Sequence, residues 1–237
     1  MPLHFIDSGP MAPQEIMQKD EKLLNELATC SSPLLHLYQW QGHCLTYGYF
    51  SSPENYLDLN QVKRLGVHMA RRPTGGGVIF HLTDFAFSLL IPATHSNYLK
   101  NSLKSYAFVN QLVAQAIQNV AQVPSITLWK KEEKPSLPTF CMAHPTIFDL
   151  VVNDKKMVGA AQRRKKGGLL HQGTISLFPP PKELVKPVIK EEKLYQAMAM
   201  HSDYLTNYRP ELNLKQLREE TKKAIAQVFF HFFKGRF

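Results

Sequence analysis

The sequence predicts one mixed β-sheet with helices packed on it. Short apolar runs bounded by glycine, proline and serine recur up to residue 177 and are typical of strands. Residues 13–28 and 103–120 carry apolar side chains at helical spacing, and residues 214–232 place theirs on one helical face. We therefore expect a single domain over the whole chain, with a sheet-containing core (1–177) and a mostly helical C-terminal part (178–237).

Local signals predict the individual elements in chain order. Pro13 suits the first turn of the first helix, and Gly66 suits the residue after a second, short helix. Pro92 ends an apolar run that favours a buried strand, and Asn153-Asp154 favours the turn of a hairpin. The predicted ranges are strands over 34–40, 44–49, 84–91 and 169–177, a helix over 56–65, a hairpin over 147–162 and an exposed charged loop over 130–138.

Composition narrows the class of protein. The 237 residues are 44% hydrophobic and 20% charged, as in ordinary globular proteins. A net charge of +9 at pH 7 favours an acidic partner, and the absence of an aromatic-and-basic motif makes nucleic acid the less favoured one. The longest apolar stretch is far too short to span a bilayer, and no signal-peptide pattern opens the chain, so we expect no membrane attachment.

The cysteines predict the compartment. They are three in number, Cys30, Cys44 and Cys141, and show no C-x-x-C pairing. This argues against a disulfide framework or a zinc site and for a reducing cytoplasm. We assign Cys30 and Cys44 as small buried apolar residues.

A glycine-rich segment over residues 70–81 is the strongest candidate for a ligand-binding loop. It contains three consecutive glycines, Gly75, Gly76 and Gly77. Glycine lets a ligand lie against bare backbone, and successive N–H groups can form a nest for an anion. Arg71 and Arg72 would add forked donors suited to carboxylate or phosphate. The alternative is a plain hairpin turn, but the arginines and His81 favour an acid-binding loop that joins two strands.

Lys156 and Cys141 are the candidate catalytic residues. Lys155 and Lys156 lie on the predicted hairpin, where alternation points their side chains to opposite faces. The inward one must be paired or functional because burying an isolated ammonium is costly; the alternative is a solvated hairpin tip. Cys141 precedes the hairpin, and a nearby cation such as Lys156 or His144 would activate its thiol. The alternative for Cys141 is a buried apolar filler.

Four further positions are candidate substrate contacts. Gly159 and Ala161 have almost no side chain, so a ligand could approach the backbone there. His81 and His171 lie on strands that we expect to flank the glycine-rich segment, although each could instead be a satisfied structural polar residue. No H-E-x-x-H, G-x-S-x-G, P-loop or G-x-G-x-x-G motif occurs, and we expect no metal site.

Seven motifs in a fixed order carry a family resemblance. They are Phe5-Ile6-Asp7-Ser8-Gly9, Met17-x-x-Asp20-x-x-Leu23-Leu24, Tyr47-Gly48-Tyr49-Phe50, residues 71–81, residues 149–159, Ala160-Ala161-Gln162-Arg163-Arg164 and Gln172-Gly173-Thr174-Ile175. Together they resemble the lipoate/biotin protein ligase and octanoyltransferase superfamily over residues 5–177. The resemblance implies an α+β fold with a mixed, mainly antiparallel sheet flanked by helices. It also implies an enzyme that forms an amide on one lysine of a lipoyl domain.

The resemblance assigns roles to several candidate residues. It implies that Lys156 holds the acyl carbonyl or a phosphate oxygen, and that Arg72 and the three glycines close over the acyl group. His81 ends the same motif. Biotin ligases carry a different glycine loop, so biotin is the less favoured substrate.

Two mechanisms remain open within the superfamily. A cysteine-dependent octanoyltransferase takes its acyl group from acyl carrier protein through a thioester and needs no cofactor. One branch of these enzymes resembles this chain in placing its cysteine, here Cys141, before the lysine hairpin. A lipoate–protein ligase instead uses ATP and Mg²⁺ to form a lipoyl-adenylate from free lipoate. This sequence lacks the Gly-Arg-Asn-Asp typical of ligases, although its triple-glycine loop is closer to theirs.

We favour the thioester route and keep the adenylate route as the alternative. The expected acceptors are apo lipoyl domains of 2-oxo-acid dehydrogenase complexes or the glycine cleavage H protein. The expected donors are octanoyl-acyl carrier protein or free lipoate. A third alternative is a non-catalytic relative or a nucleic-acid-binding module that keeps the fold.

Overall fold

A computed structural model describes residues 2–130 and 144–233. Its strands are β1 (His4–Met11), β2 (Leu34–Trp40), β3 (Cys44–Tyr47), β4 (His68–Arg71), β5 (Val78–His81), β6 (Asp84–Pro92), β7 (Thr127–Leu128), β8 (Leu150–Val152), β9 (Lys155–Lys165) and β10 (Gly168–Ser176). Its α-helices are α1 (Pro13–Glu26), α2 (Leu59–Arg64), α3 (Ser102–Val120), α4 (Lys182–Val185), α5 (Glu192–His201) and α6 (Leu214–Phe233). Short 3₁₀ helices span Leu27–Thr29, Pro53–Asn55, Lys186–Val188 and Leu205–Asn207.

The large sheet has seven strands in the order β1-β2-β6-β10-β9-β8-β7. Among the strands of the described residues, β1 and β2 are the one parallel pair of this sheet, and its other neighbouring pairs are antiparallel. Strand β6 lies between β2 and β10 and is buried along its whole length, as its apolar run predicts. The predicted α+β class with a mixed, mainly antiparallel sheet is confirmed.

A smaller sheet carries the glycine-rich segment. Its order is β4-β3-β5, with β3 parallel to β4 and antiparallel to β5. The segment therefore joins the two outer strands of this sheet, as predicted. The apolar side of the sheet packs with α2 and α5 in a separate cluster that includes Leu45, Val62, Val78 and Leu194.

Helices cover both faces of the large sheet. One face packs against α3 and α6 through a cluster that includes Phe87, Val113, Ile117 and Phe229. These helices present apolar side chains at three- and four-residue spacing, and burying that face stabilises them. The other face packs against α1 through smaller clusters that include Met17 and Leu24. No helix in the described ranges is long and apolar enough to cross a membrane.

The hairpin was predicted from the sequence, whereas the first strand was not. The hairpin turns at Asn153 and Asp154, whose φ angles of 48° and 61° are the left-handed values that such a turn requires. Strand β1, in contrast, has no clear apolar alternation and contains Gly9 at φ 63°. No strand was therefore predicted at this position, although β1 pairs with β2 at the edge of the sheet.

Candidate functional site

Lys156 is buried and forms an ion pair. Its side chain is 2% exposed, and its Nζ lies 2.6 Å from Oδ2 of Asp149. The same carboxylate oxygen accepts hydrogen bonds from the backbone N–H and the hydroxyl of Thr146, each at 2.7 Å. The ammonium is thus held by a carboxylate that is itself fixed from a second side. Sequence reasoning named Lys156 but missed Asp149, which it treated only as the start of an apolar strand motif.

The strand geometry turns Lys156 inward. Lys155 is exposed and Lys156 is buried, as alternation on a strand predicts. A register shift between Leu150 and Val151 on β8 lies opposite this point. The carbonyl of Lys156 accepts a hydrogen bond from the N–H of Asp203 at 2.9 Å, so the segment after α5 also anchors the lysine backbone.

Gly159 makes room for the lysine head group. A Cβ at this position would lie 2.8 Å from Cε and 3.0 Å from Nζ of Lys156. Real Cβ atoms essentially never show a contact shorter than 3.0 Å, so the end of the lysine would have to shift. Gly159 is therefore required by the position of the lysine, whereas the sequence suggested only that a ligand approaches its backbone.

A cavity of about 230 Å³ adjoins Lys156. Its lining comprises Arg72, Gly75, Gly76, Ile79, Tyr106, Thr146, Lys156, Gly159, Ala160, Ala161, Gln162 and Thr174. Gly76 is exposed, so the cavity reaches the surface at the glycine-rich segment. A smaller void of about 20 Å³ shares part of this wall and is lined further by Met17, Tyr38 and Trp40. The arrangement places two buried cationic side chains, Arg72 and Lys156, beside a mostly apolar space.

Arg72 holds the glycine-rich segment in place. Its guanidinium donates to the carbonyl oxygens of Gly75 at 3.0 Å and Gly77 at 2.8 Å, and to the hydroxyl of Thr46 at 2.8 Å. The sequence suggested that the forked donor would face an anionic ligand. In the structure the fork instead faces backbone carbonyls, although Arg72 also lines the cavity.

The segment has two further supports that the sequence did not reveal. A Cβ on Gly48 would lie 1.9 Å from the carbonyl oxygen of Gly76, so only glycine at position 48 lets the segment pass. The Thr74 hydroxyl donates to Gln172 at 2.6 Å, and the Gln172 amide donates to Asp20 at 2.7 Å. The glycine in the Tyr-Gly-Tyr-Phe motif was the available signal for the first support. No local pattern could have shown the second, because its residues are distant in sequence.

His81 belongs to the same buried network. Its Nδ1 lies 2.6 Å from Oδ2 of Asp84, its Nε2 lies 2.8 Å from the hydroxyl of Thr46, and its ring stacks on Trp40 at 4.0 Å. The ring lines the smaller void but is hydrogen-bonded at both nitrogens. The structure thus supports the alternative of a satisfied polar residue at the cavity wall.

His171 lies behind the cavity wall. It is fully buried, and burial lowers its pKa to about 3. Its Nδ1 lies 3.0 Å from the side-chain nitrogen of Gln162, and its ring packs against Phe87 and Tyr106. Among the described residues its Nε2 has no hydrogen-bond partner. His171 is absent from the linings of the main cavity and the smaller void and lies one side chain behind their shared wall, so its contact with substrate stays a prediction.

The three cysteines differ in their positions. Cys141, the candidate nucleophile, lies outside the described residues. Cys44 is buried, as predicted, and burial raises the pKa of its thiol to about 12. Cys30 is exposed, so its assignment as a buried filler is wrong. Within residues 2–130 and 144–233, no group of three or more His, Cys, Asp or Glu side chains could hold a metal ion.

Comparison with known proteins identifies the family. The model of the family described as "Lipoyl protein ligase A/B catalytic domain" matches residues 12–230. An octanoyltransferase LipM of Geobacillus kaustophilus is 30% identical over 83% of this chain and 77% of its own. The LipM of Staphylococcus epidermidis is 28% identical over 84% and 78%. A crystal structure of lipoate–protein ligase A with bound ATP has a TM-score of 0.68 at 20% identity, covering 96% of this chain and 84% of that one. This chain therefore belongs to the lipoyl protein ligase A/B catalytic domain family of acyl-transferring enzymes.

Proposed function

We propose that the protein transfers an octanoyl group to the specific lysine of apo lipoyl domains. The observation that carries this proposal is the buried ammonium of Lys156 at the wall of a mostly apolar cavity of about 230 Å³. An acyl chain needs apolar walls, and its carbonyl needs a fixed hydrogen-bond donor at the reacting end. The relatives named octanoyltransferase LipM support octanoyl as the transferred group.

In this mechanism Lys156 stabilises developing negative charge. The carbonyl oxygen of the acyl group accepts a hydrogen bond from the ammonium, which Asp149 and Gly159 hold in position. Because the ammonium is preorganised and shielded from water, it stabilises the oxyanion more strongly than a solvated lysine would. Removing one such donor costs about 10²–10³ in kcat in other acyl-transfer enzymes.

Cys141 is the proposed nucleophile of a two-step reaction. Its thiolate attacks the donor thioester, a C–S bond to Cys141 forms, and the donor leaves as a thiolate that takes up a proton. The acceptor lysine then attacks as a neutral amine. The C–N bond forms, the C–S bond to Cys141 breaks, and the proton from the amine ends on the Cys141 sulfur. A thiol nucleophile requires a reducing compartment, which supports a cytoplasmic location.

The test compares two reactions by intact mass spectrometry of an apo lipoyl domain. One contains octanoyl-acyl carrier protein without ATP, and the other contains free lipoate with ATP and Mg²⁺. The proposal predicts acceptor modification in the first reaction, with no cofactor required. Modification only in the second reaction would establish the ligase alternative, in which ATP and Mg²⁺ are needed. Lipoyl domains of 2-oxo-acid dehydrogenase complexes and the glycine cleavage H protein are the acceptors to compare.

We also propose that residues 178–237 form one catalytic unit with the sheet-containing core. Helix α6 packs in the same apolar cluster as α3 and the large sheet. A bridge pairs Lys156 with Ser202, just beyond α5. A version truncated before α5 should therefore lose acyl transfer, and retained activity in that version would contradict a single unit.

A further inference from the structure

Two arginines and two aromatic side chains form a patch beside the cavity mouth. We call this patch the arginine–aromatic rim and define it as Tyr49, Phe50, Arg71 and Arg163. Both guanidinium groups lie over the Tyr49 ring, with Cζ of Arg71 at 4.9 Å and Cζ of Arg163 at 4.3 Å from its centroid. Both distances are within cation–π range, so the ring holds two positive charges close together.

The rim is attached to the glycine-rich segment. The N–H of Tyr49 donates to the carbonyl of Thr74 at 2.8 Å, and Nη1 of Arg163 donates to the carbonyl of Pro73 at 3.0 Å. The next residues along that segment, Gly75 and Gly76, line the cavity. The rim therefore borders the opening through which an acceptor would reach the acyl carbonyl beside Lys156.

Among the described residues the rim combines two arginines that have no carboxylate partner with one exposed phenylalanine. Within the described ranges neither Arg71 nor Arg163 forms a salt bridge. Phe50 packs edge-on against Tyr49 at 5.0 Å yet is 88% exposed. A single exposed phenylalanine is ordinary, but arginine and aromatic residues side by side at a functional opening are what protein interfaces favour.

We propose that the arginine–aromatic rim is the docking surface for an acidic acceptor domain. This assignment rests on the proposed function and adds the surface by which the acceptor is recognised. The acceptor attacks through a lysine, whose stem is only four carbons long, so the body of its domain must lie against the mouth. A donor that carries its acyl group on a long flexible arm has no such restriction. The positive rim and the net charge of +9 then complement carboxylates around the acceptor lysine.

The test measures binding of an apo lipoyl domain, so it does not depend on catalysis. The rim variants are Arg71→Glu and Phe50→Ser. The matched control is Lys215→Glu, which makes the same charge change at an exposed position of α6, a helix that contributes no residue to the rim or to the lining of the cavity. Acylation of each variant by a small octanoyl thioester, without acceptor, reports whether the chemistry is intact.

The proposal predicts a selective loss of acceptor affinity. Arg71→Glu and Phe50→Ser should each weaken binding by about 10-fold or more, the size of an interface hot spot, while Lys215→Glu changes it by less than about 2-fold. The Arg71→Glu effect should shrink in high salt, because salt screens exposed charges. Acylation by the small thioester should stay at the wild-type rate.

Three outcomes would overturn the proposal. If Arg71→Glu and Lys215→Glu changed the affinity for the lipoyl domain equally, net charge and not the rim would determine binding. A loss of affinity for octanoyl-acyl carrier protein but not for the lipoyl domain would assign the rim to the donor. If the rim variants lost acylation by the small thioester as strongly as they lost acceptor affinity, the rim would act in the chemical step and not in docking. A failure of the proposed function would give a different result. The wild-type protein would then bind the acceptor through the rim but would never acylate it.

Discussion

Gly159→Ala should separate catalysis from stability. The added Cβ would lie 2.8 Å from Cε of Lys156, whereas ordinary contact begins at 3.4 Å, so the lysine end must move by about 0.6 Å. The end of a lysine side chain moves easily, and we expect the free energy of unfolding to change by less than about 1 kcal/mol. The ammonium, however, is displaced from the position that Asp149 sets. A misplacement approaching 1 Å can cost about 10²-fold in rate, so kcat should fall by roughly 10- to 100-fold.

The assay pairs initial rates of octanoyl transfer with urea unfolding of the same samples. Gly167→Ala is the matched contrast, because its Cβ would meet the backbone of Ala28, with N at 2.6 Å and Cα at 2.9 Å. Backbone cannot yield as a lysine end can, so this variant should lose stability while each folded molecule keeps its activity. Wild-type kcat in Gly159→Ala would contradict the claim that catalysis needs this lysine where the structure places it. Parallel loss of activity and stability in both variants would refute it as well.

Three other variants test neighbouring parts of the site. Asp149→Asn leaves a buried ammonium without its carboxylate, so the free energy of unfolding should fall by about 3 kcal/mol in urea titrations, and an unchanged value would show that the pair is not needed. Arg72→Lys keeps the charge but loses the fork that holds two glycine carbonyls; KM for the octanoyl donor should rise about 10-fold, and an unchanged KM would contradict a loop-closing role. His171 stays neutral in the folded protein down to about pH 3, whereas the unfolded chain takes up a proton below pH 6.5. The stability that comes from keeping His171 neutral is therefore fully present above pH 6.5. As pH falls towards 3, the free energy of unfolding decreases by up to about 1.4 kcal/mol per pH unit. His171→Phe should flatten stability against pH in that window, and an unaltered slope in urea titrations would contradict the burial argument.

Local patterns predicted the elements well, because strand alternation, helical spacing and turn residues act over a few positions. They also predicted that one of the two adjacent lysines faces the interior, because side chains alternate along a strand, and the family resemblance singled out Lys156 as the functional one. They could not predict that the Arg72 fork faces carbonyls, because that depends on how tightly the glycine-rich segment folds back. Nor could they find the contacts of Gln172 with Thr74 and Asp20, which join three separate elements. Spacing within a motif carries no information about such contacts.

The most direct measurement is a single-turnover reaction with an octanoyl thioester donor and no ATP, followed by peptide mapping. We predict an octanoyl adduct on Cys141 that is consumed when the apo lipoyl domain is added. We also predict that the adduct forms at least about 10²-fold more slowly in Lys156→Ala, as expected for loss of an oxyanion donor. Acceptor modification without any adduct would contradict the thioester mechanism. An adduct that forms equally fast in Lys156→Ala would contradict the role given to the buried lysine.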